Sequence, residues 1–300
     1  MAKTAQKAAT PTKGKASVPA VNDKRSQQRA VTASGGKVPA HLAQAKMTGA
    51  GTSQDASDLL IPMARVLQAN SPEVMRGSQT QIPGAQAGDI LIKNAPNPLI
   101  KGEQGFLFQP CYFQKKWVEW LPRNSGGGGG QGFVAMHDDM PRDTVSKKGI
   151  DPQNPDREFL VRPNGNIIVE TRYHGGWLID ENGENPPIPL VIPFASTGHS
   201  VAKAWMMLMN NKQIDGQRAD SCAVYYRFTT EIRTKGAQSW YVFKITDAGE
   251  EEEGIPSTFW VPTLEDLQRG QKLAQDMATG ARTFDAAEGV ERPAGDSETM

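Results

Sequence analysis

Gly105-Phe-Leu-Phe-Gln-Pro-Cys-Tyr-Phe-Gln-Lys-Lys-Trp-Val-Glu-Trp-Leu121 is the stretch that decides the fold. Its aromatic and β-branched residues suit a pleated, half-buried surface, so it is expected to run as a strand. Pro110 lacks a backbone donor and marks an edge or a bulge within it. Alternate residues of a strand share a face. Phe113, Lys115, Trp117 and Glu119 therefore fall on one side, and Tyr112, Gln114, Lys116, Val118 and Trp120 on the other.

Upstream, Asp58–Gln68 has helical periodicity, but Pro62 in its middle favours an extended reading. Ile90–Lys93 reads as a short strand after the turn-rich Pro83–Asp89. Downstream, the glycines at 126–130 read as a flexible hairpin loop before Phe133–Met136, and residues 137–157 as an exposed loop. Pro163-Asn164-Gly165 joins Glu158–Arg162 to Asn166–Tyr173 as a hairpin. Trp177–Asp180, Pro189–Pro193, Ala223–Ile232 and Ser239–Thr246 are further strands. On the last two, Tyr225 and Tyr241 are expected to point opposite to Tyr226 and Trp240. Ser200 to about Lys212 is a helix, with Val201, Trp205, Leu208 and Met209 on one face. Leu264 to about Ala278 is a second, acidic-leaning helix.

The fold class is therefore mainly β (α+β), with an OB-like barrel or β-sandwich core, two helices and disordered termini. The expected domains are a basic arm over 1–54, a β-rich core over 55–248, a C-terminal helical segment over 249–283 and an acidic tail over 284–300.

Charge divides the chain in the same way. Residues 1–54 carry nine Lys/Arg and one Asp, whereas residues 246–300 carry thirteen Asp/Glu and four Lys/Arg. The arm holds no aromatic residue, so it cannot bury enough apolar surface to offset its chain entropy. Such a layout suits a polyanion-binding protein with protein partners. Two cysteines, Cys111 and Cys222, argue against a disulfide scaffold and for a reducing compartment. No run of apolar residues is long enough for a membrane helix, and no CxxC or HxxxH spacing suggests zinc. His137-Asp138-Asp139 are adjacent loop residues, a poor arrangement for chelation. The run Gly126–Gly130 has no following Gly-Lys-Ser/Thr and is not a phosphate loop. No catalytic motif is present, so the expectation is a non-enzymatic protein without cofactor or metal.

What remains is the mixture of rings and cations. Single-stranded nucleic acids are held by bases stacking on aromatic faces while Lys and Arg neutralise phosphates. The expected stacking residues are Tyr112, Trp117 and Trp120, with Tyr226 and Trp240 from the later strands. Lys115, Lys116, Arg123 and Arg172 are the expected phosphate contacts. The basic arm would add contacts without sequence preference. The Met206–Met209 surface is either core or a self-association face, which would make a homo-oligomer.

Two resemblances bear on function. Asp58–Val74 with Gly88-Asp89, and Tyr112–Arg123 with its glycine-rich sequel, resemble bacteriophage proteins of uncharacterised role. The aromatic β core with an acidic C-terminus is similar in organisation to phage single-stranded-DNA-binding proteins. That resemblance implies single-stranded DNA as ligand, replication or recombination proteins docking on the acidic C-terminus, and the cytoplasm of a bacterial host as location. Residues 246–300 would then compete with DNA for the binding surface. The tail departs from the class pattern, since Arg292 interrupts it and it ends Glu298-Thr299-Met300 without a terminal aromatic. The rival expectation is a virion or scaffold protein whose flexible arms tie subunits together.

Overall fold

Fifteen residues, Phe106–Trp120, form one strand whose first six residues are all buried. The computed structural model describes residues 61–95, 98–121, 132–150, 155–236, 238–252 and 255–284. In chain order the strands begin with β1 (Met63–Val66), β2 (Ile90–Lys93), β3 (Leu99–Ile100), β4 (Phe106–Trp120) and β5 (Phe133–His137). They continue with β6 (Val145–Lys147), β7 (Phe159–Val161), β8 (Ile167–Ile179) and β9 (Ile188–Ala195). Helix α1 (His199–Asn210) precedes two short strands, β10 (Gln213–Ile214) and β11 (Gln217–Arg218). The long pair β12 (Val224–Lys235) and β13 (Gln238–Asp247) follows, then β14 (Glu251–Glu252), β15 (Ile255–Pro256), β16 (Phe259–Trp260) and helix α2 (Leu264–Ala278). The arm over 1–54, the loop over 126–130 and the tail beyond Phe284 lie outside the described residues.

Among the described residues the main sheet has the order β13-β12-β4-β8-β9-β1-β2-β3. Its pairs are antiparallel except β1 with β9, which meet in parallel at Met63 and Val191. The expected barrel is corrected to a mixed sheet that does not close. Isolated hydrogen bonds take the place of a closing ladder. Thr230 donates its N–H to the Gly102 carbonyl at 3.0 Å and its hydroxyl to the Gly88 carbonyl at 2.7 Å. The Gln68 side chain accepts from the Tyr241 N–H at 3.0 Å and donates to the Tyr241 carbonyl at 2.9 Å.

Register explains where simple alternation fails. The β4–β8 ladder slips between Pro110 and Tyr112, leaving Cys111 as a bulge. An extra residue inverts the alternation beyond it. Phe106 and Phe108 therefore share a face with Phe113, Lys115 and Trp117, while Gln109 shares one with Tyr112, Lys116 and Trp120. The expected break at Gly175-Gly176 is also corrected, because β8 runs straight through both glycines. A Cβ at Gly176 would overlap the Gln109 carbonyl oxygen, so this close approach requires glycine. On β12 and β13, Ile232 faces Tyr241 and Arg233 faces Trp240. Tyr241 thus shares a face with Tyr226, and Trp240 with Tyr225, the reverse of the expected grouping. A one-residue change in register flips every side chain, and the turn sets that register. Residues 137–157 contain β6, paired with β7, where an exposed loop is expected.

Two cores result. On one side, α1 lays Val201, Ala202 and Trp205 onto Phe108, Phe194, Phe228 and Phe243. Trp205 meets Phe228 edge-on at 5.0 Å, and Phe106 stacks on Phe228 at 5.2 Å. Aromatic pairs in these geometries add about 0.5–1.5 kcal/mol each beyond their buried area. On the other side, Trp120, Phe159, Ile167 and Tyr173 pack with Leu273 and Met277 of α2. Thr263 caps α2, accepting from the Asp266 N–H at 3.1 Å, with Glu265 and Asp266 in the first turn, where the helix dipole favours acids. Helix α2 is thus built into the core. The first residue of the expected tail, Phe284, lies against Tyr173 with centroids 4.7 Å apart. Among the described residues no helix is long and apolar enough to cross a membrane.

Candidate nucleic-acid interface

Helix α1 covers the start of its side of β4 and leaves the rest open. Phe106 and Phe108 are buried there, but Phe113 beyond the bulge is 42% exposed. Lys115 is exposed and Trp117 half-buried. The row Phe113, Lys115, Trp117 is thus ring, cation, ring, with neighbours about 6.8 Å apart along a strand. Phe113 rests on the His174 ring at 4.9 Å, and the Lys115 ammonium lies 5.4 Å from the Trp117 ring centroid. Opposite Lys115 on β8 stands Arg172, whose Nε donates to Glu170 at 2.9 Å.

Beneath the row, His174 is 1% exposed and sits 4.6 Å from the Trp205 ring. Burial, with a smaller contribution from Arg172, brings its pKa down to about 3, so the ring is neutral. At the far end of the row, β8 changes partner. Its pairing with β7 stops at Ile168 and that with β9 begins at Thr171. The Glu170 carbonyl in this gap accepts from His199 Nε2 at 2.9 Å. Burial holds the His199 pKa below its ordinary value. A cleft of about 260 Å³ opens here, lined by Trp117, Trp120, Arg157, Phe159, Glu170 and His199 among others.

Glu119 anchors the strand end. It is 1% exposed and accepts from Asn166 Nδ2 at 2.6 Å, from His137 Nε2 at 2.9 Å and from Arg162 at 2.9 Å. Burial alone would raise its pKa; these donors and the Arg162 charge overcome that and bring it to about 2. The carboxylate thus ties β4 to β5 and to the β7–β8 hairpin.

Of the residues expected to bind, the fold brings Lys115, Trp117 and Arg172 together on one face. Tyr112 and Lys116 lie on the reverse of the same strand. Tyr112 is half-buried, and burial and Asp138 raise its pKa, while Lys116 pairs with Asp138. Trp120 and Tyr226 are each 1% exposed and fill core positions, so neither offers an open stacking face. Trp240 packs half-buried against the α1-side core, away from the row. Arg123 lies outside the described residues. Sequence reasoning left out Phe113, Arg157 and His199. The two-residue spacing of Arg157 and Phe159, whose guanidinium and ring stand 4.8 Å apart, is a sequence sign for the first of the cleft pair.

Among the described residues no three His, Cys, Asp or Glu side chains gather as a metal site. No curated protein matches the chain, and no solved structure does. One family model does match, over residues 29–259, which takes in β1 to β15. The chain belongs to the Pam3 phage gp34-like protein family.

Proposed function

We propose that this phage protein is a non-enzymatic binder of single-stranded DNA that acts in replication or recombination in the bacterial host cell. The observation that carries the reading is the open row Phe113, Lys115, Trp117 with Arg172 beside it. Bases stack on the two rings while the cations between them take the backbone phosphates. The row reads no base edge, so binding is largely independent of sequence. The basic arm, with Lys3, Lys7, Lys13, Lys15, Lys24, Arg25 and Arg29 among its cations, adds counterion release. The acidic tail either competes with DNA or docks replication or recombination proteins. Because α2 is part of the core, a truncation that tests the tail starts after Phe284 and not at residue 246.

The test is tryptophan fluorescence during titration with oligo-dT at low and moderate salt, with duplex DNA as control. Quenching selective for the single strand and weakened by salt is expected. Trp117→Ala should reduce affinity by about 1–3 kcal/mol, the usual loss for one stacked base. Absence of quenching and of oligonucleotide retention overturns the proposal, and large assemblies formed without nucleic acid would favour the virion or scaffold reading.

A further inference from the structure

We infer that the bound strand leaves the row sideways, its phosphates crossing β8 at Arg172 and passing over the start of α1 to Lys203 and Arg233. This rests on the single-strand reading above and gives the strand a course and two further contacts. Along β4 the row is closed at one end, where Phe108 lies buried in the core that α1 covers. At the other end exposed Asp138 and Asp139 follow His137, the cross-strand partner of Trp117. Acids there repel a polyanion.

The way across the sheet is lined with cations instead. Lys115 and Arg172 are direct cross-strand partners. Like charges in that position destabilise a sheet pair, and a phosphate shared between them removes the repulsion. His199 stands next along the path. After burial, the charges of Arg172 and Lys203 are what hold its pKa down, so both cations lie near its ring. Lys203 is exposed and sits one turn further along α1, on the same side of the helix as His199 and Ser200. The Ser200 hydroxyl accepts from Arg233 Nη1 at 3.1 Å, which brings β12 to this helix end. Glu170 and Glu231 pair with Arg172 and Arg233. Lys115 and Lys203 meet no carboxylate among the described residues, and the first turn of α1 carries no acid. Two charges on the path are thus left for phosphate.

The experiment measures the salt dependence of binding for oligo-dT of about 4 nucleotides, long enough for the row alone, and of about 12. Lys203→Ala and Arg233→Ala should each reduce the log–log slope for the longer strand by about 0.7, the share of one phosphate, and leave the shorter strand unaffected. Lys203→Arg keeps the charge and should behave as wild type. An unchanged slope in either alanine variant, while Trp117→Ala still weakens binding, overturns the path and leaves the interface standing. An equal loss on both strands places these cations within the footprint of the row itself and overturns the sideways course. Failure of the wild-type protein to bind oligo-dT of either length overturns both readings.

Discussion

The two halves of β4 share a strand and a composition rich in rings, yet serve opposite ends. From Phe106 to Cys111 every residue is buried, between β12 and β8 along the sheet and beneath α1. From Phe113 to Trp117 the same side is open, and its two rings are interrupted by Lys115. Aromatic content does not separate these halves. Two features do: the bulge at Cys111 inverts the alternation, and β12 leaves β4 after Phe108. A ring becomes core or contact surface according to what covers it.

The sharpest way to break the comparison is to truncate one ring from each half. Phe108→Ala should cost about 3–5 kcal/mol of stability, as expected for a fully buried ring. Phe113→Ala should cost less than about 1 kcal/mol and weaken oligonucleotide binding instead. Urea denaturation of both variants decides it, and equal losses would mean that the outer half is core as well.

Glu119→Ala tests the anchor between the halves and the cleft. It leaves Asn166 without its acceptor inside the core, and a loss of about 3 kcal/mol is expected by denaturation. A variant as stable as wild type would show that the hairpin is held by apolar packing alone.

Acid should expose the layer beneath the row. His174 drops from an ordinary 6.5 to about 3 on folding, so the unfolded chain binds more protons between those values. Its contribution is complete above pH 6.5 and falls as pH drops toward 3. Glu119 drops from 4.5 to about 2, so its contribution is complete above 4.5 and is lost toward 2. His199, also lowered, acts in the same direction as His174. Thermal melts should therefore show Tm falling below pH 6.5, and His174→Phe should flatten the part above pH 4.5. A Tm unchanged between pH 7 and 5 would contradict this.

The smallest effect belongs to Lys115. Lys115→Ala should leave stability within about 0.5 kcal/mol and reduce the salt dependence of binding by about 0.7 in log–log slope, the share of one phosphate on a single strand. An unaltered slope in a variant that still binds would remove Lys115 from the phosphate path.

Much of the fold was legible because strands and helices announce themselves by period. The Asn164-Gly165 hairpin and the α1 face with Val201 and Trp205 both stand as the residues imply. Pro110 pointed to an edge or a bulge. The bulge is there, but β4 is interior, and the proline sits where its ladder with β8 slips. What local pattern does not carry is pairing. The register of β12 against β13 regrouped Tyr225, Tyr226, Trp240 and Tyr241. The straight run through Gly175-Gly176 depends on distant neighbours, Met277 and Gln109, that no local window contains. For the same reason the expected contact residues divided. Lys115, Trp117 and Arg172 met across one ladder, whereas Trp120 and Tyr226 were drawn inward by α2 and α1 packing against them.

The bond pair between Gln68 and Tyr241 carries a further meaning. An outermost strand normally presents free donors and acceptors on which another chain can add itself. Here a side-chain amide copies the donor–acceptor pair of a peptide unit and occupies both groups of Tyr241 on β13. One glutamine thus acts as a false neighbouring strand, guarding β13 against edge-to-edge aggregation in a protein built largely of sheet.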